Sequence, residues 1–299
     1  MYRRRKINEE VISGILFATP AILGLLIFTI GPIIASLYFS FSYYDILSPP
    51  RWVGLGNYRE ILFEDTYFGK TLYNTAYYAF LSVPLQMIVA LILALLLNQK
   101  IKGLAFYRTV YYLPFLVSGV AVAMLWLWIL EPYYGLLNTF LKYFGINGPL
   151  WLGDPKWAKF SLILMTLWGG GSKMIIFLAG LQGIPEQLYE AAELDGAGSW
   201  HKFWNVTWPM ITPVTFYNFV VGLIASWQVF TSAYVMTQGG PRDSTLFYVL
   251  YLYKNAFEYF KMGYASALAW VLFLIVLVFT LLIFKSSPTW VFYIGEMKR

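Results

Sequence analysis

Four carboxylates crowd one short stretch of this chain. Residues 184–199 read Ile-Pro-Glu-Gln-Leu-Tyr-Glu-Ala-Ala-Glu-Leu-Asp-Gly-Ala-Gly-Ser, with Glu186, Glu190, Glu193 and Asp195 and no lysine or arginine. Acid–base catalysis or metal binding would need partners of other types. The chain has no cysteine, so thiol nucleophiles, disulfides and thiolate metal sites are excluded, and its single histidine, His201, beside Lys202, has no ligand partners to make a metal site expected. What such a run of acids can do is pair with a basic surface. A second chemically suggestive group is Lys173, which follows Trp168-Gly-Gly-Gly-Ser172 inside an apolar run. A lysine at mid-membrane depth costs roughly 2.5–3.5 kcal/mol and marks function by default. Its ammonium can donate to sugar hydroxyls, a phosphate or a carboxylate; snorkelling to the inner interface or pairing with a neighbour is the alternative. The next apolar run offers Ser226, Trp227, Gln228 and Phe230, hydrogen-bonding groups beside aromatic faces, a combination suited to sugar rings. Gly69-Lys70-Thr71 imitates the end of a phosphate-binding loop, but Glu64 stands where that loop's first glycine belongs. No nucleotide, cofactor or metal site is expected in the chain itself, and no catalytic residue.

Membrane helices must position these groups. The chain is 59% hydrophobic and 12% charged, against roughly 25% charged in soluble domains. Six apolar runs reach the roughly 20 residues that a hydrocarbon layer demands: about 11–43, 71–97, 110–130, 158–181, 210–236 and 263–284. Backbone groups in lipid must bond within their own segment, so the runs are helices and the fold is all-α. The organisation expected is a cytoplasmic segment 1–10, a six-helix membrane domain 11–285 and a cytoplasmic tail 286–299. The leading apolar stretch is too long for a signal-peptide core and is expected to remain as the first helix. Three adjacent glycines at 169–171 weaken the fourth helix, while Pro114, Gly119 and Gly222 suit bending and packing. The net charge of +6 comes from scattered lysines and arginines and one run, Arg3-Arg4-Arg5-Lys6. Scattered basic residues signal topology and not nucleic acid. With the N-terminus in the cytoplasm, inner loops hold eleven basic residues and outer loops nine. The leading cluster and the short 98–108 loop decide that orientation, which places 184–209 inside.

Within that loop, Pro185 suits the first position of a helix, Glu186 suits the positive end of its dipole, and Gly196 suits its stop. Residues 185–195 therefore read as a helix of about three turns, with Ser199 capping a second one. Glu186, Glu190 and Glu193 repel one another at helical spacing. Ala191 and Ala192 leave a flat surface. The residues alone allow either a solvated loop or an acidic plug for a basic socket.

Glu190-Ala-Ala192, three residues, Gly196, nine residues, then Val206-Thr-Trp-Pro209 resembles the EAA signature of permease subunits of ABC importers. Val206 replaces an isoleucine of that pattern and Trp208 a leucine. Residues 181–185, 194–198, 54–58, 239–241 and 263–267 are similar to the sugar-uptake branch, of maltose, multiple-sugar and glycerol-3-phosphate type. The resemblance covers nearly the whole chain. It implies a coupling helix in which Glu186, Glu190, Ala191, Ala192, Asp195, Gly196 and Pro209 meet an ATPase. It also implies a second homologous permease, two ATPase subunits that bind ATP and Mg, an extracytoplasmic solute-binding protein, and a place in the plasma membrane of a bacterium or archaeon. The substrate pathway would run past Trp168, Ser172, Lys173, Ser226, Trp227, Gln228 and Phe230. An ion-coupled secondary transporter is the competing expectation; it usually carries intramembrane carboxylates, and none falls inside these runs.

Overall fold

The computed structural model describes residues 2–99 and 102–292, with backbone alone over 2–9. Four helical runs are long and apolar enough to cross a membrane: Glu10–Ser40, Thr66–Leu97, Ser199–Trp227 and Met262–Thr289. Two bent pairs bring the number to six if each counts as one span. The chain divides into two compact units.

The first unit holds the chain up to Asp65 together with Leu252–Leu272. Helix α1 (Tyr2–Leu25) continues through a π-helical turn at Leu26–Ile30 into α2 (Gly31–Ser40). Strand β1 (Ser42–Tyr43) then pairs antiparallel with β2 (Arg51–Trp52), Ser42 opposite Trp52, and α3 (Gly56–Arg59) follows. Two stretches singled out in the sequence hold this unit together. From the first, buried Asn57 donates to the carbonyls of Ser40 at 2.8 Å and Ser42 at 3.0 Å, and Tyr58 donates to Ser40 Oγ at 2.8 Å. Asn57 thus satisfies the Ser40 carbonyl freed where α2 ends and ties that end to β1. From the second, Gly263 stands at the start of the last long helix, Met262–Ser286, and donates its N–H to the Tyr44 carbonyl at 3.0 Å. A Cβ on Gly263 would lie 2.0 Å from the Ser42 carbonyl oxygen and 3.2 Å from that of Phe39. Both are backbone atoms and cannot swing aside. Gly263→Ala is expected to destabilise the protein by about 1–3 kcal/mol, the usual cost of overpacking, read as a lower thermal midpoint in detergent; an unchanged midpoint would contradict this packing.

The second unit holds Thr66–Tyr251 and the chain from Phe273 on. Its helices are α4 (Thr66–Leu97), α5 (Leu104–Leu116), α6 (Gly119–Ile129), α7 (Leu136–Tyr143), α8 (Pro155–Trp168), α9 (Gly171–Gln182), α10 (Glu186–Leu194), α11 (Ser199–Lys202), α12 (Trp208–Trp227), α13 (Thr231–Met236) and α14 (Tyr248–Tyr253), with the later part of α15 (Met262–Ser286). Helix α4 is central and packs against α8, α9 and α12. Fully buried Ala90 and Ala94 let Met174, Phe177 and Ile211 close around it. Gly180 brings α9 close to α12, since a Cβ there would meet Val214 Cγ2 at 2.7 Å. At the start of α4, Lys70 pairs with Asp243 at 2.8 Å, and Asn74 donates to the carbonyls of Asp243 and Leu246. The sequence that imitated a phosphate loop therefore clasps the turn after Gly239-Gly-Pro241.

Two expected spans differ from this structure. Residues 110–130 are not one straight helix: α5 and α6 meet at 98°. Pro114 ends the regular ladder, and Val117 and Ser118 are extended, at ψ 140° and 134°. Residues 210–236 are also interrupted. Helix α12 stops at Trp227, Phe230 takes φ −139°, ψ −61°, and α13 is a separate short helix. Uniformly apolar sequence carries no periodic signal at either break. The glycine run behaves as read: α8 and α9 meet at 48° there.

Candidate functional site

Helix α10 stands out from the second unit with no buried residue. Pro185 precedes the helix at ψ 131°, not inside it as expected, and Glu186 opens the first turn. The stop is a Schellman motif. Gly196 takes φ +76° and its N–H bonds to the Glu193 carbonyl at 2.9 Å; Ala197 N–H bonds to the Ala192 carbonyl at 2.9 Å. Only glycine reaches that left-handed conformation without cost, which accounts for the glycine of the signature. Gly198, not Ser199, occupies the cap position of α11, and no side chain caps that helix. A π-helical turn at Phe203–Thr207 joins α11 to α12. Pro209 stands two residues after that turn, inside the continuous run Ser199–Trp227, where it lacks the N–H of a regular ladder. Tyr189 O–H and Thr207 Oγ1, 3.0 Å apart, tie α10 to this turn.

The acids lack an internal partner with one exception. Lys202, outside the acidic stretch, reaches Glu193 at 2.7 Å. Glu186, Glu190 and Asp195 make no ion pair among the described residues. Leu194 is 90% exposed and Trp200 70% exposed. Between α10 and the start of α12 lies an apolar groove of about 480 Å³, lined by Pro185, Leu188, Val206, Pro209, Met210 and others. No group of three metal-ligating side chains converges among the described residues.

The second candidate is an open cleft, with Phe115, Val117, Gly119, Trp168 and Thr231 of its wall exposed. A cavity of about 350 Å³ is lined by Gln86 of α4, Pro114, Phe115, Val117, Gly119 and Val122 at the α5–α6 bend, Met165, Thr166, Trp168 and Gly169 at the α8–α9 bend, and residues 229–232. That is within the ~300–1,000 Å³ of small-molecule sites. Of the expected pathway residues, Trp168 and Phe230 face it. Lys173 stands behind the wall, its ammonium donating to Gln86 Oε1 at 2.8 Å. Ser172, half-buried beside it, is not part of the lining. Ser226 and Trp227 are buried elsewhere. Ser226 donates to the Leu223 carbonyl at 2.8 Å, and Trp227 stacks on Phe279 with centroids 5.4 Å apart. Gln228, exposed, ends α12. A continuous helix would have set these residues on neighbouring faces with Phe230; the break after Trp227 turns Phe230 away from them. Gln86 went unnoticed in the sequence, though a glutamine in an apolar span was the available signal. Pro114 and Gly119 were assigned only to bending and packing, yet both also line the cavity. Gly222 does pack: a Cβ there would touch Val83 and Lys173 Cε.

Residues 68–287 match the family described as binding-protein-dependent transport system inner membrane component. The chain is 43% identical to a probable ABC transporter permease protein, YesP, of Bacillus subtilis (strain 168), over 98% of this chain and 96% of that one. It is 36% identical to the lactose transport system permease protein LacF of Rhizobium radiobacter, over 92% and 94%. Among solved structures, a bacterial ABC transporter involved in the import of the acidic polysaccharide alginate superposes with a TM-score of 0.83 at 26% identity, covering 95% of this chain and 99% of that one. A second structure of a bacterial alginate ABC transporter, in complex with an alginate pentasaccharide-bound periplasmic protein, gives a TM-score of 0.80 at 25% identity, over 96% of each chain. The chain belongs to the binding-protein-dependent transport inner membrane component family. It is a membrane-embedded permease subunit of an ABC importer and not itself an enzyme. The ion-coupled alternative gives way to this assignment.

Proposed function

We propose that the chain forms half of a carbohydrate translocation pore, coupled through α10 to an ATPase. The observation that carries the coupling role is the exposed acidic face of α10, closed by the left-handed Gly196 at the EAA spacing. Glu186, Glu190 and Asp195 would enter a basic cleft, with Ala191 and Ala192 allowing close approach and Gly196 and Pro209 fixing the geometry behind them. Two ATPase subunits would bind the ATP and Mg, and a second homologous permease would complete the pore. A solute-binding protein would deliver substrate from outside; the alginate importer in complex with its loaded periplasmic protein supports that arrangement. The lactose relative and the alginate importer support a carbohydrate as cargo, as does an aromatic-lined cavity with Trp168 and Phe230 on its wall. Both termini would lie in the cytoplasm and the membrane domain would span 11–285.

An affinity-tagged chain is expected to bring ATPase subunits and a second permease through purification, and uptake is expected to stop on ATP depletion. Isolation of the chain alone, or uptake driven by an ion gradient without ATP, would sink the reading. Orientation is tested separately. The chain has no cysteine, so Asp195→Cys creates a unique label site, and modification of it from outside intact cells would invert the topology.

A further inference from the structure

Lys173 is a cation that this membrane domain does not neutralise. Its ammonium meets a neutral amide oxygen, Gln86 Oε1, and no carboxylate among the described residues. None could be supplied by the apolar helices. Thr66–Leu97, Leu104–Ile129, Pro155–Gln182, Trp208–Trp227 and Met262–Ser286 contain no aspartate or glutamate. The position adds a second penalty, because Lys173 is the third residue of α9 and the positive end of a helix dipole disfavours a cation. A charge held there against both penalties would call for an anion, and no described residue supplies one.

Gln86 relays that need to the cavity. An ammonium is only a donor, so the glutamine must turn its oxygen to Lys173. What Gln86 has left is its N–H₂ group, for which the described residues show no acceptor, on a side chain that lines the 350 Å³ space. The remaining polar lining is hydroxyl groups and the Trp168 indole, all neutral, with no acid among them. Phe115, Trp168 and Phe230 add aromatic surface for the C–H faces of a sugar ring.

We propose that this cavity selects saccharides bearing a carboxylate, whose negative charge is balanced by Lys173 acting with the Gln86 amide. The inference rests on the carbohydrate-permease reading above and narrows it to acidic sugars.

The test is ATP-driven uptake by the assembled importer, using cellobiouronate and cellobiose, which differ only in a carboxylate that replaces one hydroxymethyl group. The wild type is expected to take up cellobiouronate at least tenfold faster. Lys173→Gln is expected to cut cellobiouronate uptake tenfold or more through a raised KM, and Lys173→Arg to restore most of it, with each variant still copurifying with its partners. Uptake of cellobiose alone, or cellobiouronate uptake within twofold of wild type in Lys173→Gln, would overturn the proposal and leave the carbohydrate reading standing. Failure of the Lys173→Gln chain to assemble would also overturn it, by assigning the charge to a carboxylate on another subunit. ATP-driven uptake of neither saccharide, with uptake of a non-carbohydrate solute instead, would remove the carbohydrate reading itself.

Discussion

Reversing one charge on α10, Glu190→Lys, is expected to abolish transport while leaving the permease better folded. Glu190 is exposed and makes no hydrogen bond or ion pair within the described residues, so nothing in the chain is lost with it. Four residues earlier stands Glu186, and like charges at that spacing repel; an i, i+4 pair of opposite charges instead stabilises a helix by about 0.2–0.5 kcal/mol. The helix should therefore be slightly more stable. Docking on a basic cleft should suffer in proportion to the roughly 2–5 kcal/mol lost when an interfacial charge pair is broken. The expected outcome is loss of ATP-coupled uptake, with release of the ATPase or ATP hydrolysis that no longer drives transport. Glu190→Gln should fall between. The measurements are uptake, ATPase rate and recovery of the ATPase on the tagged chain. Wild-type values for all three would contradict the assignment of α10 as the coupling element.

The second large effect is expected at Gly171, where α9 presses on α5. A Cβ there would lie 2.6 Å from the Tyr111 carbonyl oxygen and 2.9 Å from Tyr112 Cα. Neither atom can rotate away, so α5 and α9 must separate, at an overpacking cost of about 1–3 kcal/mol. Both helices feed the cavity: Pro114 and Phe115 follow in α5, and Gly169 precedes α9. Gly171→Ala is expected to slow uptake by about tenfold or more, the equivalent of ~1.4 kcal/mol. Gly69→Ala is the control, because a Cβ on that helical residue meets nothing within 4 Å. Equal uptake by the two variants would show that the α5–α9 contact does not shape the pathway.

The parts legible in the sequence were those written in length and in charge. Apolar runs announced membrane helices because lipid leaves the backbone no other way to bond. The acidic helix was legible because Pro185, Glu186 and Gly196 each mark a helix end by a local rule. The breaks inside apolar sequence were harder. Pro114 announced a bend but not its 98°, and no residue near Gln228 announced that α12 would stop. That stop decided which side chains reach the cavity, so Trp227 was expected beside Phe230 and is found on Phe279. Gln86 could not be linked to Lys173 at all, since the two are 87 positions apart and meet only when α4 packs on α9.

The π-helical turn at Phe203–Thr207 carries a mechanical consequence. It lets α11 run into α12 without a hinge, so Ser199–Trp227 is one helical run of 29 residues. At ~1.5 Å per residue such a rod outreaches a ~30 Å hydrocarbon layer. Its near end begins three residues after Gly196 and is strapped to α10 by Tyr189 and Thr207; its far end stops two residues before Val229, on the cavity wall. A body braced in this way works like a tiller. Under the coupling role proposed for α10, a push there would be delivered at the far end as a swing of the cavity wall, with the close contact of Gly180 and Val214 as the fulcrum.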